Sequence, residues 1–346
     1  MRDSRVYIKV SEQGKRLVYR VAKTLWAIVF LLGLVALGGV AYQTIGTRMD
    51  ARRSPEHGKL VDIGGYRLKI NCVGTLSPTV VLESGLGDVS PEWERVQLGI
   101  AEFSRVCSYD RAGYGGSDAG PMPRTSAVIA KELHTLLQWA GEKPPFVLVG
   151  HSFGGYTVRV FNGRYPSEVA GLVLVDSPHE DEYQLLPSAW KRFDAALLQH
   201  YERLASTAPL FVGLGIARLR LQINGGVRSY DYLILQSKYL KARASELENI
   251  QTSAEQARAA GAIGDKPLIV LTAGRSFEAA PLPGLSQQDL ANSERIWVEN
   301  LQPRLVRLAT HGVQLVLRDS GHDIPSDRPD AVLNAVRQIC TTLKPH

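Results

Sequence analysis

The stretch Phe146–Gly155 reads FVLVGHSFGG, and its two halves obey different rules. FVLVG is a short apolar run, the composition of a strand buried on both faces. GHSFGG places glycines two before and two after Ser152, the G-x-S-x-G spacing, and Tyr156–Asn162 beyond it repeats apolar residues at helical spacing. A chain that turns from strand to helix within so few residues has room only for tiny side chains at the two flanking positions, and the turn pushes the serine hydroxyl into the open. Backbone amides at the start of the helix can stabilise an oxyanion there. Ser152 is therefore the candidate nucleophile rather than part of a plain turn, and the Phe153 N–H is the first candidate oxyanion donor.

Working outward, further apolar runs fit buried strands: Thr79–Leu82, Val106–Tyr109, Leu172–Val175, Leu268–Leu271 and Val313–Leu317. Helical patterns lie between most of them, among them Ala127–Ala140 and Ala331–Leu343. Strands alternating with helices indicate an α/β protein with a mostly parallel sheet covered on both faces. Ahead of them, KLVDI and YRLKI flank Gly64-Gly65 with alternating patterns, a hairpin. The rhythm breaks between Asp176 and Lys266, where Trp190–Leu204, Phe211–Leu221 and Tyr230–Ala259 are all helix-like. That stretch is too long for a loop in a compact domain, so it reads as an inserted helical cap over about residues 182–264.

Charge is distributed unevenly. Of the net +6, residues 1–53 hold ten Lys/Arg against three acids, leaving 30 against 31 in the remaining 293 residues. A near-neutral body has no broad field for polyphosphate, which argues against a nucleic-acid partner. The basic end instead flanks 24 uncharged residues, Thr24–Thr47, with the apolar centre Leu25–Tyr42. About 20 residues of helix cross a hydrocarbon core about 30 Å thick, and Trp26 and Tyr42 fall near the two interfaces. A cleaved signal peptide has a shorter apolar stretch and a shorter leader. The reading is a basic leader (1–23), an uncleaved transmembrane signal-anchor (24–47), a linker (48–57) and a globular body (58–346). Seven Lys/Arg before the span against three after it keep the N-terminus cytoplasmic and the body on the outer, periplasmic or extracellular, side.

The order of motifs from about Leu60 to the C-terminus resembles the alpha/beta-hydrolase-fold serine hydrolases, the esterase and lipase-like group. VVLESGLG resembles the family's strand and oxyanion turn, and CSYDRAGYGGSD its next strand and loop. GHSFGG resembles the elbow, GLVLVDS the strand after it, and SGHDIPSDRPD the histidine loop. The resemblance implies His322 as general base and the Leu86 N–H as the second oxyanion donor. The acid is open: many members carry it after the strand matching PLIVLTAG, where this chain has no acid until Glu278, and others carry it after the preceding strand, at Asp176. Asp176 is the first choice, Glu278 the alternative and Asp181 the third. Asp110, Arg111 and Asp118 read as braces of the Gly113–Gly116 loop, and His179, Glu180 and Asp181 as a solvated charge cluster. With three cysteines there is no disulfide framework or Cys-rich metal site. The fold would put Cys72 and Cys107 on neighbouring strands, where a single bridge is open if their Cα atoms lie within about 7 Å.

No dinucleotide loop, phosphate loop or H-E-x-x-H is present, so neither cofactor nor metal is implied. The expected activity is acyl-enzyme hydrolysis of a carboxylic ester or related acyl bond, and the expected partners are a lipid-like acyl ester and the membrane. The alternative is a non-catalytic, membrane-tethered binding or scaffold protein on the same fold.

Overall fold

Each apolar run around the serine turn forms a strand in the computed structural model, which describes residues 12–53, 57–225, 230–277 and 285–343. The strands are β1 (Lys59–Asp62), β2 (Arg67–Val73), β3 (Thr79–Glu83), β4 (Arg105–Asp110), β5 (Phe146–His151), β6 (Val169–Val175), β7 (Leu268–Ala273) and β8 (Val313–Leu317). They form one sheet in the order β1-β2-β4-β3-β5-β6-β7-β8. β1, β2 and β4 pair antiparallel, and all later pairings are parallel. The turn after β1 is held by Asp62, whose carboxylate accepts from the Gly64 and Gly65 amides at 2.9 and 3.0 Å. β5 is central, with Val149 between Leu82 and Val173.

Side chains along β5 divide by the two-residue strand period. Val147 and Val149 enter one core with Val80, Val173 and Leu271, and Phe146 and Leu148 enter the other with Val81, Leu172 and Val270. The helices, in chain order, begin with α1 (Glu12–Arg53), α2 (Glu94–Ala101), α3 (Ser126–Ala140) and α4 (Gly154–Arg164). The insertion after β6 supplies α5 (Glu182–Leu185), α6 (Ser188–Gly213), α7 (Ile216–Ile223), α8 (Asp231–Ile234), α9 (Ser237–Glu248) and α10 (Ile250–Ala259). α11 (Gln287–Ile296), α12 (Gln302–Val306), α13 (Ile324–Asp327) and α14 (Pro329–Thr342) complete the chain. α14 closes the first core through Val332, Val336 and Ile339, and α3, α4 and α10 close the second.

Three elements differ from their sequence patterns. The helix expected at Phe211–Leu221 breaks at Leu214-Gly215, where Gly215 takes φ +70° and α6 meets α7 at an 87° bend. The helix-like stretch Tyr230–Ala259 divides into α8, α9 and α10, and α10 packs on α3 and α4 at the side of the sheet core. Helix α1 also runs beyond the 24–47 span, through Arg48–Arg53, because these residues tolerate helix and Arg52 and Arg53 suit its negative C-terminal end. Among the described residues, α1 is the single helix long and apolar enough by itself to cross a membrane, and none of its residues is buried.

Cys72 and Cys107 face each other across β2 and β4 and are bonded, with Cα atoms 4.0 Å apart. The bond closes a sequence separation of 35. Replacing both residues by alanine is expected to cost about 2–4 kcal/mol through the freed unfolded chain. Urea unfolding of the detergent-solubilised wild type and double variant measures it, and equal midpoints would refute the expectation.

Candidate active site

The serine turn is formed by close packing of backbone. A Cβ on Gly154 would lie 2.6 Å from the Glu83 carbonyl oxygen, and one on Gly150 would lie 2.7 Å from that of Gly154. No larger residue fits either place. Ser152 takes φ +50°, uncommon for a residue with a Cβ. Its amide donates to the Val175 carbonyl at 3.0 Å, and its own carbonyl accepts from Gly155 at 2.8 Å, which launches α4.

His322 lies in the loop between β8 and α13, where the preceding Gly321 amide donates to Asp327 at 2.8 Å. Its Nε2 is 2.9 Å from Ser152 Oγ and its Nδ1 is 2.7 Å from Asp176 Oδ2. Asp176 directly follows β6, with φ +41°, and is fully buried. Its Oδ1 accepts from the Ala273 amide at 2.9 Å and from Trp297 Nε1 at 2.8 Å, and Oδ2 also accepts from Ser276 Oγ at 2.5 Å. Trp297 opens a π-helical turn, Trp297–Leu301, between α11 and α12. A carboxylate accepting from Nδ1–H leaves the Nε2 lone pair facing the serine hydroxyl, the tautomer a general base needs. Of the other acid candidates, Asp181 instead pairs with Arg258 at 2.7 Å and Arg304 at 2.5 Å. Glu278 lies outside the described residues.

The turn after β3 borders the serine. A Cβ on Gly85 would lie 3.3 Å from Ser152 Cβ, so the turn that carries Leu86 runs against the serine turn. Arg111 holds that turn, a role its sequence context did not disclose. All five of its N–H groups are used: two on the Ser84 and Gly85 carbonyls at 2.7 Å, one on Glu83 at 2.9 Å, and two on Glu246 of α9 at 2.9 and 3.0 Å. Tyr109 and Tyr114 donate to the same two carboxylates. The network is buried, and it ties the turn to the insertion. Asp110 and Asp118 do brace the neighbouring loop, through Gly116, Ser90 and Arg67.

Other charged groups surround the site. His151 is buried, with Nε2 3.0 Å from the His322 carbonyl and Nδ1 3.5 Å from Asp88. Burial disfavours its cation, but the bond to Asp88 and that residue's charge outweigh burial and raise its pKa. Burial, with the charge of Asp194 adding to it, pushes Glu182 up to about 8, and His322 acts in the opposite direction. The His179 cluster is not solvated as its sequence suggests. His179 is buried, and Glu180 forms a two-bonded pair with buried Arg159 at 2.6 and 3.1 Å. Among the described residues, metal-like spacing occurs at Cys72, Cys107 and Glu142, but the cysteines bond each other and Glu142 is engaged by Arg105 at 2.6 and 2.7 Å.

Comparison with known proteins agrees with this architecture. Residues 78–210 match the family model of the alpha/beta hydrolase fold. A thermophilic esterase from Thermogutta terrifontis superposes with a TM-score of 0.56 at 21% identity, covering 83% of this chain and 99% of that one. An epoxide hydrolase from Vigna radiata gives 0.61 at 14% identity, covering 83% and 98%. An uncharacterized vacuolar membrane protein of Saccharomyces cerevisiae is 33% identical over 134 residues, 34% of this chain and 21% of its own. The chain has the alpha/beta hydrolase fold. It spans about half the length, or less, of the curated relatives it matches.

Arg111→Met would leave Glu83 and Glu246 buried without their cation. The expected cost is about 3–5 kcal/mol, since breaking a buried pair strands a charge. Urea unfolding of variant and wild type measures the loss, and a difference within error would remove Arg111 from the framework.

Proposed function

We propose that this chain is a membrane-anchored serine hydrolase that cleaves a carboxylic ester, or a related acyl bond, through an acyl-enzyme. The observation that carries the reading is the continuous line of hydrogen bonds from Ser152 Oγ through His322 to the buried Asp176 carboxylate. Ser152 Oγ attacks the acyl carbon as its proton passes to His322 Nε2, and the imidazolium is stabilised by Asp176. The negative oxygen that forms is held by the amides of Leu86 and Phe153. His322 returns the proton to the departing alkoxide as the ester C–O bond breaks. Water, deprotonated by His322, then attacks the acyl-serine, and its collapse releases the carboxylic acid and restores the hydroxyl. A serine nucleophile supports esterase-type chemistry over epoxide opening, for which related folds use a carboxylate there.

Anchoring is assigned to α1, with residues 24–47 as the uncleaved signal-anchor. The basic leader favours a cytoplasmic N-terminus and an outward-facing body. The Cys72–Cys107 bond is consistent with an oxidising compartment outside the cytoplasm, and a yeast relative named for the vacuolar membrane supports membrane association in general terms. Membrane residence and an apolar cap favour acyl or lipid-like substrates.

Fluorophosphonate labelling of the detergent-solubilised full chain tests the nucleophile. Labelling is expected in wild type and absent in Ser152→Ala. If the folded wild type does not label, the hydrolase reading falls and a tethered binding protein takes its place. Asp176→Asn is expected to lower kcat by about ten-thousand-fold, because the amide favours the wrong imidazole tautomer. Unchanged turnover of a chromogenic ester by this variant would move the acid elsewhere.

A further inference from the structure

The described body carries most of its large exposed apolar residues singly or along the edge strand β8, but one group stands apart. Leu210, Phe211, Ile216, Leu219 and Ile223 are all exposed, from 42% at Ile216 to 74% at Ile223, and all lie at the end of α6 or on α7. Five such side chains on one short bent element form a surface that water does not favour.

The position of this element relative to α1 identifies what covers it. A Cβ on Gly39 would lie 2.4 Å from the Leu214 carbonyl oxygen, and one on Gly215 would lie 2.8 Å from the Tyr42 ring and 3.0 Å from the Gly39 carbonyl oxygen. The bend between α6 and α7 is thus in backbone contact with α1 at Gly39–Tyr42, inside the apolar run. Arg48, the first charge beyond the span, is nine residues past Gly39, about 14 Å along a helix at 1.5 Å per residue. At the other end of α7, Gln222 is hydrogen-bonded to the Tyr42 hydroxyl, so both ends of α7 stay level with the same α1 residue.

The junction is also fastened by polar contacts. Arg218 is buried, and its guanidinium donates to Gln43 at 3.2 Å, Thr47 at 3.2 Å and Asp50 at 2.5 Å, all on α1. Wherever α1 sits in a bilayer, α7 goes with it. Between Ala205 and Gly226 the sequence carries Arg218 and Arg220 and no acid. Arg220 is exposed, placed to reach headgroups from an apolar helix.

We propose that the α6–α7 elbow is a second attachment to the bilayer, lying in the outer headgroup and upper acyl region of the membrane that α1 crosses. The inference rests on the reading of α1 as a membrane span and adds to it a lipid contact made by the insertion itself. α7 then behaves as an interfacial helix, with apolar side chains among the acyl chains and Arg220 at the headgroups. The insertion, which reaches the Ser84-Gly85 turn through Glu246 and Arg111, is thereby held against the lipid surface, where an ester dissolved in the membrane is concentrated.

Depth-dependent quenching tests this on the full chain in phosphatidylcholine–phosphatidylglycerol vesicles. A single fluorophore is attached at Phe211→Cys or Leu219→Cys, with Cys340 replaced by alanine and the Cys72–Cys107 bond retained. Val35→Cys on α1 reports the span, and exposed Leu98→Cys on α2 reports the body. Nitroxide lipids spin-labelled near the headgroup are expected to quench both elbow positions and leave Leu98 bright, while deep nitroxides quench Val35. Quenching at Val35 with none at Phe211 and Leu219 overturns the elbow contact and leaves the anchor standing. No quenching at Val35 overturns the anchor itself. Loss of elbow emission that follows protein density and not nitroxide content assigns the patch to a second copy and overturns the proposal.

Discussion

A carboxylate with no contact to solvent stands at the C-terminal end of β6, and much of the architecture around the site serves to keep it there. An ionised Asp176 in such a place would be costly without partners. It has four, from separate parts of the chain: the Ala273 amide at the end of β7, the Ser276 hydroxyl just beyond, the indole of Trp297, and His322 after β8. Three segments C-terminal to the insertion, the end of β7, the π-helical turn and the loop after β8, therefore converge on one side chain. The π-helical turn at Trp297 fits the same need, since it begins at the residue that brings the indole to Oδ1. In the proposed reaction these bonds leave His322 a fixed orientation, with Nε2 toward Ser152.

That convergence explains what could be read from residues alone. The strand β5 and its turn were legible because the glycines are dictated by contacts within a few residues of Ser152 and by the neighbouring strand. Asp176 and Glu278 both follow apolar strands, and local pattern could rank them but not separate them. What distinguishes Asp176 is a set of donors supplied from about 100 to 146 residues downstream. Arg111 illustrates the same limit. Its setting in DRAGYGGS marks a loop brace, whereas its five hydrogen bonds reach Glu83, the Ser84-Gly85 turn and Glu246 of the insertion, partners that only the folded sheet order brings within reach. The His179 cluster looked solvated because three polar residues in a row usually are, yet Arg159 on α4 makes it an interior ion-pair group.

The insertion was visible as a break in the strand–helix rhythm, but its internal geometry was not. Apolar periodicity runs through Phe211–Leu221 without interruption, and the break at Leu214-Gly215 follows from backbone packing against Gly39 and Tyr42 of α1. Two glycines, 176 residues apart, allow that approach, since a Cβ on either would collide with the other helix's backbone or with Tyr42. Sequence distance hides such a pair.

The two networks together connect α1 to the Ser152 turn by continuous contacts. From α1, Asp50, Thr47 and Gln43 hold Arg218 of α7, and α7 continues from α6, which packs along α9. α9 carries Glu246, which holds Arg111, and Arg111 holds the carbonyls of Ser84 and Gly85 beside Ser152. These junctions are buried or half-buried ion pairs, a packed helix pair and, at the last step, buried hydrogen bonds to backbone carbonyls, the kinds of contact that resist gradual deformation. A displacement of α7 relative to α9 would therefore be opposed at Arg218 and felt at Glu246, while the other wall of the site, built on Asp176 and β7, has no part in that chain of contacts. The Ser84-Gly85 side of the site is thus tied through the insertion to α1, whereas the Asp176 side is tied to β7 and the residues after it, so a movement of α1 reaches only one wall of the site.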